Sequence, residues 1–155
     1  MMSTLVLGVG NTLLTDEGAG VHVINYLQAN HPQADASYID GGTLSFSLVG
    51  DIEANQCLIV IDASELDSSP GTVKSFIDSD MDAFLGDKRR LSVHEVGLMD
   101  LLDMSRLSGR LPKRRALIGI QPKLVDWGFT PSPEVAASIP VAGQVALNLV
   151  SEWSS

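Results

Sequence analysis

Near its amino terminus the chain reads Leu5-Val-Leu-Gly-Val-Gly-Asn-Thr-Leu-Leu-Thr-Asp-Glu-Gly-Ala-Gly20. The apolar run from Leu5 to Val9 predicts a buried strand, which ends at glycine and asparagine residues that tolerate unusual backbone angles. Beyond the acidic pair Asp16-Glu17, the apolar residues of Val21-His-Val-Ile-Asn-Tyr-Leu27 recur at helical spacing. The sequence therefore predicts a strand that passes into a helix through a loop bearing carboxylates. In parallel α/β folds, such loops build the functional sites.

Further strands are predicted along the chain, and they alternate with helices. The clearest is Cys57-Leu-Ile-Val-Ile61, which is continuously apolar, as strands covered on both faces are. The others are Ser37–Ile39, Thr72–Ile77 and Ala116–Ile120. This alternation predicts a single α/β domain over residues 1–155. Its expected architecture is a three-layer sandwich, with helices on both faces of a twisted, mostly parallel five-stranded sheet.

The later predicted helices carry signals at their ends. Thr43 can cap a short helix, and Ser92 can cap another, with Glu95 three residues on as in a capping box. That arrangement places His94 in the first turn of its helix. The final helix is expected to be interrupted at Pro140. The predicted ranges are 44–49, 78–85, 92–103 and 134–153.

Composition limits the classes of partner. The 155 residues carry a net charge of −9, which argues against nucleic acid or an anionic membrane surface as a partner. No apolar run approaches the roughly 20 residues of a membrane span, and no signal-peptide pattern precedes the first strand. The single cysteine excludes an internal disulfide. We therefore expect a cytoplasmic protein with no nucleic-acid partner and no membrane partner.

Acidic residues follow three of the predicted strands. Glu17, Asp40 and Asp62 would all reach one edge of the sheet, and His94, at a helix start, could reach the same edge. Two carboxylates and one imidazole suit a divalent cation with open coordination positions. The alternative is that these acids are helix caps and solvated strand ends.

A nucleotide site is a weaker alternative. Gly8-Val-Gly10 follows a strand, but the third glycine of a dinucleotide fingerprint is replaced by Leu13. The carboxylates of Asp16 and Glu17 would also repel a pyrophosphate. Only Asp40, after the second strand, keeps a ribose-binding role open.

Familiar catalytic motifs are incomplete in this chain. His94-Glu95 begins a zinc-protease motif, but the second histidine is missing because position 98 is Leu98. Asp40-Gly-Gly-Thr43 is not the D-T-G of pepsin-like proteases, and no second copy of it exists for a dyad. No G-x-S-x-G nucleophile elbow is present. The sequence therefore offers no nucleophilic serine or cysteine.

Five short motifs span nearly the whole chain. They are Gly8-x-Gly-Asn-x-Leu-x-x-Asp-Glu-Gly18, Asp40-Gly-Gly-Thr43, Ile61-Asp62-Ala63, His94-Glu95 and Gly119-Ile-Gln-Pro122. In this order they resemble the maturation endopeptidases of NiFe-hydrogenases, and the first motif is the most specific. One departure is local: after Thr43 the chain reads Leu-Ser-Phe46, where many relatives have another glycine. This departure affects the expected shape of the substrate cleft.

The resemblance implies a specific activity. Members of that family remove a short C-terminal extension from the hydrogenase large-subunit precursor after nickel has been inserted into it. Carried over by position, the ligands that sense nickel fall on Glu17, Asp62 and His94, and the acid implicated in cleavage is Asp40. The nickel would be supplied by the substrate precursor, and the enzyme would have no tightly bound cofactor of its own.

A different class of function stays open on the residues alone. A non-catalytic nickel chaperone would use Glu17, Asp62 and His94 to deliver the ion. It would give no role to Asp40 and the glycines that follow it, whereas a peptidase does.

Overall fold

The computed structural model describes residues 3–87 and 93–154, with only the backbone described at residues 93 and 94. One sheet contains β1 (Thr4–Val9), β2 (Ser37–Gly42), β3 (Cys57–Ala63), β4 (Val73–Ile77) and β5 (Arg114–Ile120). The strand order is β2-β1-β3-β5-β4. Neighbouring strands are parallel, except that β4 runs antiparallel to β5 at one edge. The predicted mostly parallel five-stranded sheet is confirmed.

Helices cover both faces of the sheet, as predicted. One face carries α1 (Ala19–Asn30) and α5 (Pro133–Ser154), and the other carries α2 (Leu48–Glu53), α3 (Ser79–Gly86) and α4 (Val93–Leu107). Ile59 and Ile61 of β3 belong to the core on the α1 side, whereas Leu58 and Val60 belong to the core on the α4 side. Since alternate residues of a strand face opposite layers, both sets are apolar. This is why β3 is an uninterrupted apolar run.

Helix α5 corrects the predicted interruption at Pro140, because the helix continues through it. Pro140 and Ala136 are both exposed, so water can solvate the Ala136 carbonyl that the proline leaves without an N–H donor. With 22 residues and a mean hydropathy of 1.2, α5 is long and apolar enough to cross a membrane by length and composition, contrary to our expectation. However, Ala146, Val150 and Trp153 are buried in the core that α5 shares with α1. Its packing is that of a core helix.

Helix α2 begins later than predicted, at Leu48, and Thr43 does not cap it. Leu44 adopts φ = 67°, and its N–H donates to the Gly41 carbonyl at 2.9 Å, which closes a turn. The turn brings Leu44 against α4: a Cβ built on Gly97 would lie 3.5 Å from Leu44 Cδ1. Tertiary packing of Leu44 therefore overrides the local helix signal. In α4, the predicted Ser92 cap lies outside the described residues.

Helix α1 starts in close contact with the carboxyl ends of β1 and β3. A Cβ on Gly20 would lie 2.0 Å from the Ile61 carbonyl oxygen and 2.5 Å from that of Val9. Only glycine permits this approach. The contact fixes where the first turn of α1, and the loop before it, sit above the sheet edge.

Candidate functional site

The carboxyl ends of β1 and β3 form a topological switch point. From β1 the chain passes through α1 to β2 on one side, whereas β3 lies on the other side. In open parallel sheets a crevice forms at such a point, and ligands bind in it. Glu17 follows β1 and Asp62 lies near the end of β3, so the structure brings these two predicted residues to the switch point.

The loop after β1 folds back over the end of its own strand. Gly10 has φ = 136°, and a Cβ there would lie 2.0 Å from the Glu17 carbonyl oxygen, so glycine is required at this position. The Gly10 N–H donates to the Gly42 carbonyl at 2.8 Å, which joins the loop to β2. As a result Glu17, in a short 3-10 turn (Thr15–Gly18), is held close to the sheet edge.

Asp16, beside Glu17, has a structural role that the sequence did not reveal. It is fully buried, and its Oδ2 accepts hydrogen bonds from the N–H groups of Lys123 and Leu124 and from the Ser132 hydroxyl, each at 2.8 Å. Its Oδ1 accepts the Ser132 N–H at 2.6 Å. Burial raises the pKa of Asp16, but these hydrogen bonds outweigh it and hold the pKa below its ordinary value. Asp16 thus fixes the Glu17 loop to the segment after β5.

Thr15 makes a second connection between the same two segments. Its N–H donates to the Gly128 carbonyl at 2.9 Å, and its hydroxyl donates to the Leu124 carbonyl at 2.7 Å. Thr15 adopts φ = 50°, an unusual conformation for a β-branched residue. Such conformations persist only where the surroundings enforce them, so the loop that carries Glu17 is held firmly.

Asp62 is the most perturbed carboxyl group among those described. It is 2% exposed, and within the described part of the chain its Oδ1 has no hydrogen-bond partner. Burial raises its pKa well above the usual range, and the nearby carboxylates of Glu95 and Glu17 raise it further, against a hydrogen bond from the Ala63 N–H that lowers it. A buried carboxylate oxygen without a donor, in a crevice with other acids, is suited to a cation.

Glu95 is a further member of this cluster. Its side chain is 1% exposed and close enough to Asp62 to raise the Asp62 pKa. Its predicted capping interaction with Ser92 stays a prediction, because Ser92 lies outside the described residues. The sequence did contain a signal. Glu95 precedes the buried residues Leu98 and Leu102 by three and seven positions, which places it on the buried face of α4.

His94 lies in the first turn of α4, as predicted, and its side chain lies outside the described residues. Among the described side chains, no three histidine, cysteine, aspartate or glutamate residues are grouped to hold a metal ion. The set Glu17, Asp62 and His94 therefore stays a prediction. The Asp62 Oδ1 that has no hydrogen-bond partner among the described residues is compatible with this set, because a carboxylate oxygen of this kind can bind a cation.

Asp40 lies at the same edge of the sheet but on a different strand. It is exposed, and its Oδ1 accepts the Gly42 N–H at 2.9 Å, which forms a turn within its own motif. Gly8 of β1 lies opposite Asp40 in β2 and opposite Ile61 in β3. Since neighbouring strands are about 4.8 Å apart, the backbones of Asp40 and Asp62 are separated by about 10 Å. Asp40 is thus beside the acidic cluster and not within it.

Comparisons with known proteins identify the family of the chain. A family model described as hydrogenase maturation protease (HycI) matches residues 21–149. The hydrogenase expression/formation protein HupD of Rhodobacter capsulatus is 38% identical over 151 residues, which cover 96% of this chain and 71% of HupD. The hydrogenase 2 maturation protease of Escherichia coli strain K12 is 35% identical over 153 residues, which cover 97% of this chain and 92% of that protein.

Solved structures show the same architecture. The hydrogenase maturating endopeptidase HybD from E. coli superposes with a TM-score of 0.88 at 34% identity, covering 97% of this chain and 93% of that one. The NiFe-hydrogenase maturation protease HybD from Thermococcus kodakarensis superposes with a TM-score of 0.83 at 29% identity, covering 96% and 99%.

Proposed function

The chain belongs to the hydrogenase maturation protease family, and we propose that it removes the C-terminal extension of a NiFe-hydrogenase large-subunit precursor after nickel has been inserted. We further propose that it does so in the cytoplasm and that it recognises the nickel itself. The observation that carries the proposal is the buried Oδ1 of Asp62, which has no hydrogen-bond partner among the described residues and lies at the switch point near Glu17 and Glu95.

The nickel is part of the substrate in this proposal. Glu17, Asp62 and His94 offer three ligands without a thiolate, and this leaves coordination positions for an ion already held by the precursor's own cysteines. The acidic cluster attracts a divalent cation, and in this proposal the precursor brings that cation. Nickel-loaded precursor therefore docks through its ion, whereas precursor without nickel has nothing to satisfy the cluster.

Docking through the ion also positions the peptide. The separation of about 10 Å between Asp40 and Asp62 corresponds to about three residues of extended chain. A scissile peptide bond about three residues from the nickel-bound residue would therefore lie beside Asp40. Holding the bond there supplies a large part of the catalytic effect by orientation alone.

Asp40 acts as the general base. Its Oδ1 is engaged by the Gly42 N–H, and its second carboxylate oxygen accepts a proton from water as the water oxygen attacks the scissile carbonyl carbon. The C–N bond then breaks, and the proton passes to the departing amine. Direct attack by water is consistent with the lack of a serine or cysteine nucleophile motif in the sequence.

The test is cleavage of purified nickel-loaded precursor, followed by mass spectrometry. Asp40→Asn should co-purify with the precursor yet cleave it about 10²–10⁴-fold more slowly, because it keeps the size of the side chain and removes the base. Asp51→Asn, at an exposed acid on α2, is the matched control and should cleave at the normal rate. Full-speed cleavage by Asp40→Asn would remove Asp40 from the mechanism. Binding without any cleavage by the unaltered protein would identify a nickel chaperone.

The ligand assignment has a separate test. Glu17→Gln, Asp62→Asn and His94→Ala should each lose association with the nickel-loaded precursor while keeping their circular dichroism spectra. The unaltered protein should retain less than stoichiometric metal after dialysis against a chelator. One equivalent of zinc or nickel that survives dialysis would contradict a site completed by the substrate.

A further inference from the structure

A groove of about 400 Å³ opens between the turn after β2 and helix α4. Its apolar lining comes from Leu44, Phe46 and Leu101, and Gly97 leaves room at its base. Phe46 is 71% exposed although it lines the groove. A large aromatic side chain that remains this exposed at a concave surface is typical of a ligand site.

The groove is continuous with the candidate site. Its first lining residue, Thr43, is three positions after Asp40. On the other wall, residues 94, 97 and 101 are spaced at three and four positions along α4, and so share one helix face. The groove therefore extends from the edge that carries Asp40 and the backbone of His94, away from the acidic cluster.

The turn that forms this wall is held in an unusual conformation. Leu44 adopts φ = 67°, which leucine rarely does, and it packs against Gly97. A strained, non-glycine residue at the rim of a cavity is a feature of binding sites. This is also the place where the chain has Leu-Ser-Phe46 after its Asp-Gly-Gly-Thr motif.

Charge indicates what the groove accepts. Asp100 lines it, is exposed, and has no ion-pair partner among the residues that the structure describes. Asp40 is a second carboxylate, at the edge of the sheet where the groove begins. A second copy of this chain would bring another net charge of −9 to an acidic surface, so self-association is disfavoured. A basic, apolar peptide is complementary.

We propose that this groove is the subsite for the precursor segment adjoining the scissile bond. One apolar side chain of that segment packs between Leu44, Phe46 and Leu101, and a neighbouring lysine or arginine pairs with Asp100. This inference rests on the proposed peptidase function and adds the residues that select the peptide, beyond those that sense nickel.

The first test fills the groove. A Cβ at Gly97 meets Leu44 at an ordinary contact distance, so Gly97→Leu extends into the cavity. Gly50→Leu is the matched control, since a Cβ there has no neighbour within 4 Å among the described residues. Both changes favour helix formation, and both variants should fold. With nickel-loaded precursor, Gly97→Leu should raise KM about tenfold or more with kcat little changed, as expected when binding is lost equally in ground and transition states.

The second test reverses the charge. Asp100→Lys should lower kcat/KM about tenfold by raising KM. The control is Asp103→Lys, three residues along the same helix. Asp103 forms an exposed ion pair with Arg106, so this change should have little effect. Each lysine or arginine within about ten residues of the cleavage point of the precursor is then changed to glutamate. One of these precursors should be cleaved better by Asp100→Lys than by the unaltered enzyme.

The outcomes separate the two proposals. If the unaltered enzyme cleaves but Gly97→Leu and Asp100→Lys match their controls, the subsite is wrong and the peptidase stands. If Asp100→Lys is impaired and no charge-reversed precursor restores cleavage, the basic partner is wrong. If the unaltered enzyme binds nickel-loaded precursor without cleaving it, the peptidase proposal fails and the subsite fails with it.

Discussion

Replacing Asp16 by asparagine tests how the site loop is held. The change keeps the shape of the side chain but removes its charge and turns one acceptor oxygen into a donor. In either orientation of the amide, an NH₂ group faces at least one of the N–H groups that Asp16 now binds, those of Lys123, Leu124 and Ser132. We expect Asp16→Asn to be destabilised although it lies in a loop.

The magnitude follows from the four hydrogen bonds. Losing one bond to a charged acceptor costs about 1.5 kcal/mol, and the three remaining bonds each lose about 0.5 kcal/mol when the acceptor becomes neutral. The free energy of unfolding should therefore fall by about 3 kcal/mol. With a urea m-value of about 2 kcal/mol/M, the unfolding midpoint should move down by about 1.5 M.

The control is Asp126→Asn in the same segment. Asp126 Oδ1 accepts the Trp127 N–H at 2.8 Å, but this pair is exposed, so the change should cost less than about 0.5 kcal/mol. Hydrogen exchange supplies a local readout: amides of residues 123–132 should lose protection in Asp16→Asn before those of β3 do. If the two variants unfold within 0.5 kcal/mol of each other, Asp16 does not hold the loop as described.

Three further predictions concern packing, pH and charge. Gly20→Ala should unfold at a much lower denaturant concentration than Gly50→Ala. The Cβ added at Gly20 would lie 2.0 Å from a β3 carbonyl oxygen, whereas a Cβ added at Gly50 has no neighbour within 4 Å among the described residues. Equal unfolding midpoints would contradict the close approach at Gly20. Burial lowers the pKa of His22 in the folded protein. As pH falls below about 6.5, the unfolded chain therefore takes up a proton more readily than the folded chain, and the free energy of unfolding falls. In His22→Leu, the urea midpoint should depend less on pH between about pH 5 and 7. Glu95→Gln removes a charge beside Asp62 and should weaken binding of nickel-loaded precursor about tenfold in a pull-down titration. Unchanged binding would exclude Glu95 from the cation-attracting cluster.

The layered fold was readable from the sequence because its signals are local and strong. The apolar run of β3 and the strand–loop–helix pattern at β1 each identify their own element. The misplaced features depend on distant contacts. Leu44 left the predicted helix because it packs against the core on the α4 side, and Pro140 was accommodated because it lies on an exposed face. Neither the packing of Leu44 nor the exposure of Pro140 is visible in a local sequence pattern.

The candidate site was predictable only in part for the same reason. The positions of Glu17 and Asp62 after predicted strands placed them at one edge, and the fold brings them there. The sequence did not reveal that Asp16, next to Glu17, is a buried structural group with partners more than 100 residues away. It also did not reveal that Glu95 lies close to Asp62, because that proximity links α4 and β3.

The Asp16 hydrogen bonds also set an order of events during synthesis. Asp16 leaves the ribosome well before its partners, which begin 107 positions later, after β5. Because β5 pairs with β3 and precedes that segment, the sheet can be complete before the Glu17 loop is secured. Contacts between positions so far apart in the chain form late, since closing a long loop costs entropy before any contact repays it. We expect a nascent chain that has emerged from the ribosome only as far as residue 122 to show protected strands and a mobile Glu17 loop. Competence for nickel-loaded precursor would then arise only after residues 123–132 have emerged.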